Sequence, residues 1–253
     1  MALQRIKQPL LRFKFEVRSL LAREPGLRVF YQPFIWWAQR KAVGHIDPAE
    51  CTVAADTQFV IDGFQGSGNS FATVAFKRSQ ERPLRLAHHL HSPAQIIQAA
   101  RAGKPVLVTI REPRGAAISL VTRWPYVSLR QAVRGYIHFY EKVLPVAAAC
   151  VISPFELTTN HLDQVFGAVN ARYGTDFGIF HHTEANMNAL RDPEKLDSAG
   201  ERKRKEMKAA MQAELKKSDY AALLQRAEDV YRKMSAHGLA LRESHPVDQK
   251  AGA

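Results

Sequence analysis

The sequence predicts an α/β domain in which a parallel sheet is flanked by helices, and three observations carry that expectation. From Thr57 onward, short apolar runs of strand length alternate with segments of helical pattern, as β-α-β construction requires. The run FVIDGFQGSGNSFATVAF, residues 59–76, joins a buried strand to a helix through a glycine-punctuated turn. The chain of 253 residues, 46% of them hydrophobic, is long and apolar enough to bury a full core.

Taken in order, the predicted strands cover residues 58–62, 84–88, 106–110 and 149–155. Ser92, Pro93 and Gln95 form a helix start, and Gly103 is its stop. Ser128 and Gln131 repeat the capping-box spacing ahead of a helix running towards Leu144. Thr158 or Thr159 is expected to open another helix that ends near Gly174. After Ser198 the chain is highly charged and helical, and after Arg242 it reads as a frayed tail. The expected organisation is therefore a basic amphipathic appendage over 1–44, a single α/β domain over 45–242 and a flexible tail over 243–253.

The net charge of +12 is unevenly placed. Residues 1–44 carry nine Lys or Arg against two Glu, and residues 201–217 carry seven against three. Such a field favours anionic partners, whether nucleotide, lipid or nucleic acid. No zinc-finger spacing or RNP-like aromatic motif is present, so nucleic acid is not the expected partner. The first 44 residues hold no apolar run of the roughly 18 residues that span a membrane, and no secretory signal core. Two readings of them stay open: a helix pair packed on the domain, or a segment lying on an anionic membrane surface. The two cysteines, Cys51 and Cys150, lack metal or redox spacing, and their scarcity fits a reducing, cytoplasmic setting.

Three constellations carry chemistry. Gly63 and Gly68 have the GxxxxG spacing of a phosphate-binding loop, but Asn69 stands where such loops carry lysine. A helix N-terminus presents unpaired N–H groups and about half a unit of positive charge, so an anion is held there without a lysine. The strand ending at Ile110 runs directly into Arg111, which in a parallel sheet emerges beside that loop. An arginine here, with Ser119 on the following helix, points to direct pairing with phosphate oxygens rather than to a magnesium site. Finally, His88, His89 and His91 cluster at a strand end. If the strand continues, positions 89 and 91 face one side. No clear third ligand accompanies them, so no metal is expected, whereas a neutral imidazole suits removal of a proton from an attacking hydroxyl. Trp124, Tyr126 and Tyr136 are candidates to line an acceptor pocket, with core packing the commoner role of such aromatics.

Taken together, the order of these elements resembles the sulfotransferases that use 3′-phosphoadenosine 5′-phosphosulfate, which have a P-loop-like nucleotide-binding fold. FQGSGNSF at 64–71 is similar to their YPKSGTTW loop, Leu90-His91-Ser92-Pro93 to their THLP segment, and Arg111, Pro113 and Ser119 to their RxPxxxxxS motif without a gap. The FEL and YGTDF segments at 155–157 and 173–177 extend the likeness over residues 57–177, close to half of the chain. The resemblance implies transfer of a sulfuryl group from that donor to a hydroxyl or amine acceptor. It assigns the 5′-phosphosulfate to Gly66, Ser67, Gly68, Asn69 and Ser70, the 3′-phosphate to Arg111 and Ser119, and the role of base to His91, with His89 second. Arg202, Lys203 and Arg204 stand in for the family's C-terminal phosphate motif. Gly66 occupies the place of the family's catalytic lysine, a donor whose loss costs on the order of 3 kcal/mol at a transition state. The rival readings are a non-catalytic nucleotide-binding or membrane-associated scaffold, and a nucleotide kinase or hydrolase with a degenerate loop.

Overall fold

The computed structural model describes residues 2–27, 29–31, 33, 51–190 and 198–240. Trp36 and Trp37, and the tail expected after Arg242, lie outside the described residues. Four parallel strands, β1 (Phe59–Gly63), β2 (Leu86–His88), β3 (Val106–Ile110) and β4 (Val151–Pro154), form one sheet in the order β2-β1-β3-β4. Every residue of β1, β2 and β3 is buried, which explains their largely apolar character, since helices cover both faces; Asp62, His88 and Thr109 are the polar residues among them. The pleat sends Val60, Val106, Val108 and Ile110 into one apolar cluster and Phe59, Ile61 and Leu107 into the other.

The helices between the strands begin and end on chemistry visible in the chain. After β1 comes α2 (Asn69–Ser79), and after β2 comes α3 (Pro93–Arg101), where Ser92 Oγ accepts the Gln95 N–H at 3.3 Å and Gly103 turns the chain at φ +67. β3 leads into α4 (Pro113–Arg123) and then α5 (Leu129–Val143), which carries the expected capping box: Ser128 Oγ accepts the Gln131 N–H, and Gln131 Oε1 accepts the Ser128 N–H. The next helix differs from expectation. It starts at Phe155, directly after β4, as α6 (Phe155–Asn160), breaks at His161, and resumes as α7 (Leu162–Tyr173) with Gly174 at φ +64 as its stop. Thr158 and Thr159 do not cap, because their hydroxyls donate back to the carbonyls of Pro154 and Phe155.

A short α8 (Glu184–Leu190) is followed by α9 (Ser198–Glu214) and α10 (Ala221–Ser235). Beyond α10 the Leu239 N–H donates to the Ile152 carbonyl, so the segment at Gly238 and Leu239 pairs with the outer edge of β4.

The N-terminal helix α1 (Ala2–Arg23) lies against α3 and α5. Phe15 enters the core of the domain, meeting Trp124 edge to face, while the Ser92 hydroxyl donates to the Ala22 carbonyl at 2.7 Å. Tyr31 is buried and donates to the Leu90 carbonyl. The outer side is different: Leu10, Leu11, Phe13, Leu20, Val29 and Phe30 are exposed. No described helix is long and apolar enough to cross a membrane. Because Phe15 is 4% and Phe13 65% exposed, Phe15→Ala is expected to cost about 3–5 kcal/mol and Phe13→Ala less than about 0.5 kcal/mol. Denaturant unfolding of the two variants measures the difference.

Candidate functional site

In strand order β2-β1-β3-β4 the chain leaves β1 in one direction to β2 and then crosses to the other side for β3. The crevice at the carboxyl ends of β1 and β3 is the topological switch point, where α/β sheets bind ligands. Residues 64–68 and Arg111 both emerge there.

The loop is braced from beneath. The Phe64 N–H donates to Tyr140 Oη, and the Tyr140 hydroxyl donates to the Thr109 carbonyl at 2.8 Å. With that proton committed, the Ser67 hydroxyl is the donor in its 3.3 Å contact with Tyr140. Asn69 donates to the carbonyls of Gly63 and Phe64 and accepts from the Thr109 hydroxyl at 2.6 Å. The side chains of Ser67 and Asn69, expected on the ligand, are thus turned into the protein. What the loop offers outward is backbone: Gly66 and Gly68 have left-handed φ of +84 and +96, and Asn69, Ser70 and Phe71 begin α2 with N–H groups that have no intrahelical acceptor.

Gly66 is required here on two counts. A Cβ on it would lie 2.7 Å from Ser119 Cβ, and its φ is one that other residues adopt only under strain. No lysine side chain fits at this position, and Ser119 takes up the space against the loop. Arg111 Nη1 points at the Gly66 carbonyl at 3.4 Å, and its guanidinium lies over the Phe155 ring, 4.1 Å from the centroid. Gly66 of the glycine-punctuated turn therefore meets Arg111 and Ser119, which were read from a second motif.

Beside them is a cavity of about 520 Å³ lined by Arg111, Arg114 and Ser119 and, from the α9 side, by Lys208, Gln212 and Lys216. Arg202 and Arg204 are exposed and do not line it, and the side chain of Lys203 lies outside the described residues. The C-terminal basic helix does reach the site, but through later cations. Its signal was Lys208 and Gln212, four apart on one face of α9 beside Met211, with Lys216 in the turn just past the helix where Leu215 packs on the core.

The histidines depart from strand geometry. β2 ends at His88, and His89 and His91 both adopt left-handed φ, +60 and +50, so they do not alternate as strand neighbours. A residue that the sequence reading passed over holds this shape. Asp62, buried at the end of β1, accepts the N–H groups of Gly63 and His91 on Oδ1 and of Ser92 on Oδ2. Its signal was a carboxylate inside an otherwise apolar strand. Burial pushes its carboxyl up to about 7, against the pull of the three N–H donors.

His91 Nδ1 lies 2.8 Å from the Gly63 carbonyl, which only accepts, so Nδ1 carries the proton and Nε2 the free lone pair. The ring lines a second cavity, of about 390 Å³, between the loop and α1, together with Phe64, Phe139, Val17 and Arg18. His89 is engaged at both nitrogens, Nδ1 with His88 Nδ1 at 2.7 Å and Nε2 with Ser70 Oγ at 2.9 Å. Of the two candidate bases, His91 keeps an open nitrogen. Burial lowers all three rings from the ordinary 6.5, His88 and His91 to about 3 and His89 to about 4, so each is neutral near pH 7. Among the described residues no group of three His, Cys, Asp or Glu is placed to hold a metal ion.

Comparison with family models, with curated proteins and with solved structures gives no match for this chain.

Gly66→Ala is expected to destabilise the protein by about 1–3 kcal/mol, whereas Gly167→Ala in α7, where a Cβ meets nothing within 4 Å, should stabilise by up to about 1 kcal/mol. Thermal or denaturant unfolding separates them. The histidines also set a pH dependence. Their unfolded forms bind protons below about 6.5 while the folded forms do so only near 3–4, so their contribution is complete above pH 6.5 and is lost as pH falls towards 4. Asp62, raised from 3.8 to about 7, acts in the opposite sense over an overlapping range. Three groups against one leave a net loss, and the melting temperature at pH 5 is expected to lie below that at pH 7.

Proposed function

We propose that the protein is a sulfotransferase that moves a sulfuryl group from 3′-phosphoadenosine 5′-phosphosulfate to a hydroxyl or amine acceptor. The observation that carries this reading is the meeting of Gly66, Arg111 and Ser119 at the switch point of the sheet, an anion cradle with arginine where a nucleotide hydrolase would place a magnesium ligand. The donor supplies the activated sulfuryl group and leaves as the 3′,5′-bisphosphate.

In this reading the first N–H groups of α2 and the glycine-rich turn hold the 5′-phosphosulfate, and Arg111, Ser119, Lys208 and Lys216 surround the 3′-phosphate. The acceptor enters the cavity beneath α1. Its oxygen or nitrogen attacks sulfur, the bond from sulfur to the bridging phosphate oxygen breaks, and His91 Nε2 takes the acceptor proton. Charge on the departing 5′-phosphate is met by the backbone donors of the turn and of the start of α2. Lys77 and Arg78 are poor substitutes for the missing lysine, because they end α2 roughly 12 Å along its axis from Asn69.

A second reading, a nucleotide-binding protein without turnover, is favoured by the close approach of Ser119 to Gly66, which leaves no place for the lysine. Binding and turnover measurements separate the two. The 3′,5′-bisphosphate is expected to raise the melting temperature more than ATP does, without magnesium. Equal stabilisation by both nucleotides, or strict magnesium dependence, would remove the sulfotransferase reading. Arg111→Ala should weaken bisphosphate binding by about 1.5–3 kcal/mol. His91→Ala should leave that binding intact and lower transfer roughly a hundredfold or more. Tight bisphosphate binding with no transfer to a broad panel of hydroxyl and amine acceptors supports the second reading.

A further inference from the structure

On the sheet face covered by α2, beside the edge strand β2, lies a separate cavity of about 390 Å³. Lys77, Arg82 and Arg85 line it, with Glu81 as its acid, and Arg85 also faces Asp56 at 3.8 Å. His88 lines it too. That ring is 3% exposed, and its Nε2 has no hydrogen-bond partner among the described residues. A buried polar atom left without a partner carries a desolvation cost, which a ligand in the cavity would relieve.

The other side of the ring leads to the phosphate loop. His88 Nδ1 shares one hydrogen with His89 Nδ1 across 2.7 Å, and His89 Nε2 meets Ser70 Oγ at 2.9 Å. With neutral rings only two arrangements are possible. If His88 carries its proton on Nε2, its Nδ1 accepts from His89 Nδ1–H, and His89 Nε2 accepts from the Ser70 hydroxyl. If His88 carries its proton on Nδ1, that group donates to His89, His89 Nε2–H donates to Ser70 Oγ, and the Ser70 proton is free to face the loop. Each ring holds one proton in both cases, so the two interconvert by exchange with water and without net protonation.

We propose that this cavity is a second anion site, for a small oxyanion or carboxylate, and that its occupancy is read at the phosphate loop through His88, His89 and Ser70. An anion takes a hydrogen bond from His88 Nε2–H and pairs with Lys77 and Arg82, which fixes the first arrangement and turns the Ser70 proton away from the loop. The coupling is reciprocal: the cavity anion weakens a ligand on the loop, and that ligand weakens the anion. The coupling to function rests on the proposed donor site at the loop, whereas the cavity itself does not.

The test is a titration of the full chain with inorganic sulfate, read by ¹⁵N NMR of the histidine rings. Saturable movement of His88 Nε2 and His89 Nδ1 to their protonated positions is expected, weakened roughly tenfold in a Lys77→Ala, Arg82→Ala variant. His88 nitrogens that do not respond, or that respond equally in the variant, overturn the site. A His88 response without the His89 change overturns the coupling. Sulfate should also weaken 3′,5′-bisphosphate binding more in the native chain than in the variant, because only the native chain adds the cavity effect to direct competition at the loop. Equal weakening in both overturns the coupling. Failure of the bisphosphate to bind at all removes the proposed function instead, and leaves the ring titration to decide the cavity.

Discussion

Asp62 sits at the last turn of a fully buried strand with its carboxylate facing three backbone N–H groups, and the geometry around it propagates through the site. Two of those N–H groups belong to His91 and Ser92. The segment between β2 and α3 is thereby drawn across the end of β1, and the left-handed turns at His89 and His91 are held in place. Such turns cost of order 1–3 kcal/mol each in non-glycine residues, so they persist only where something over-determines them. The same contact seats His91 Nδ1 on the Gly63 carbonyl and brings the Ser92 hydroxyl to the last turn of α1. One buried carboxylate thus links the sheet, the candidate base and the N-terminal helix.

The loop beside it depends on a complementary arrangement. Ser67 and Asn69, the polar side chains expected on a ligand, are engaged with Tyr140, Thr109 and the loop's own carbonyls. Rigidity of the backbone donors is what this produces, and preorganised donors stabilise charge without reorganisation when it develops. Cations then come from outside the loop, Arg111 from the end of β3 and Lys208 and Lys216 from the far C-terminal side of the chain. The bareness of Gly66 and the basic wall opposite it are complementary: the loop shapes the candidate anion site, and cations from elsewhere in the chain line the cavity beside it.

Much of this was legible in the chain. The strands at β1 and β3 could be read because strands buried on both faces are mostly apolar, and the caps at Ser92 and Ser128 because a hydroxyl three residues ahead of glutamine has little else to do at a helix start. The start of α6 was misread for the same kind of reason in reverse. A threonine hydroxyl that caps and one that donates back to a carbonyl in the preceding turn look alike in sequence, and only the conformation of residues 155–160 separates them. The basic run at 202–204 was conspicuous by density, yet it stands in solvent, while the sparser Lys208 and Lys216 line the cavity. Density records how much charge a helix carries; which charges matter follows from the face that Met211 and Leu215 turn to the core.

Local covalent and periodic constraints, which act over a few residues, determined from the sequence alone that this chain forms strand-turn-helix units in parallel, with glycines at 66 and 68 and an arginine after the third strand. The tertiary structure decided the rest: that Gly66 excludes a side chain because Ser119, 53 positions away, lies against it, that His91 rather than His89 keeps an open nitrogen, and that Asp62 organises the crevice. Those outcomes depend on which distant groups share a burial site and compete for the same hydrogen bonds. Each polar group there had several partners available in the sequence. Packing around the end of β1 left it with one set.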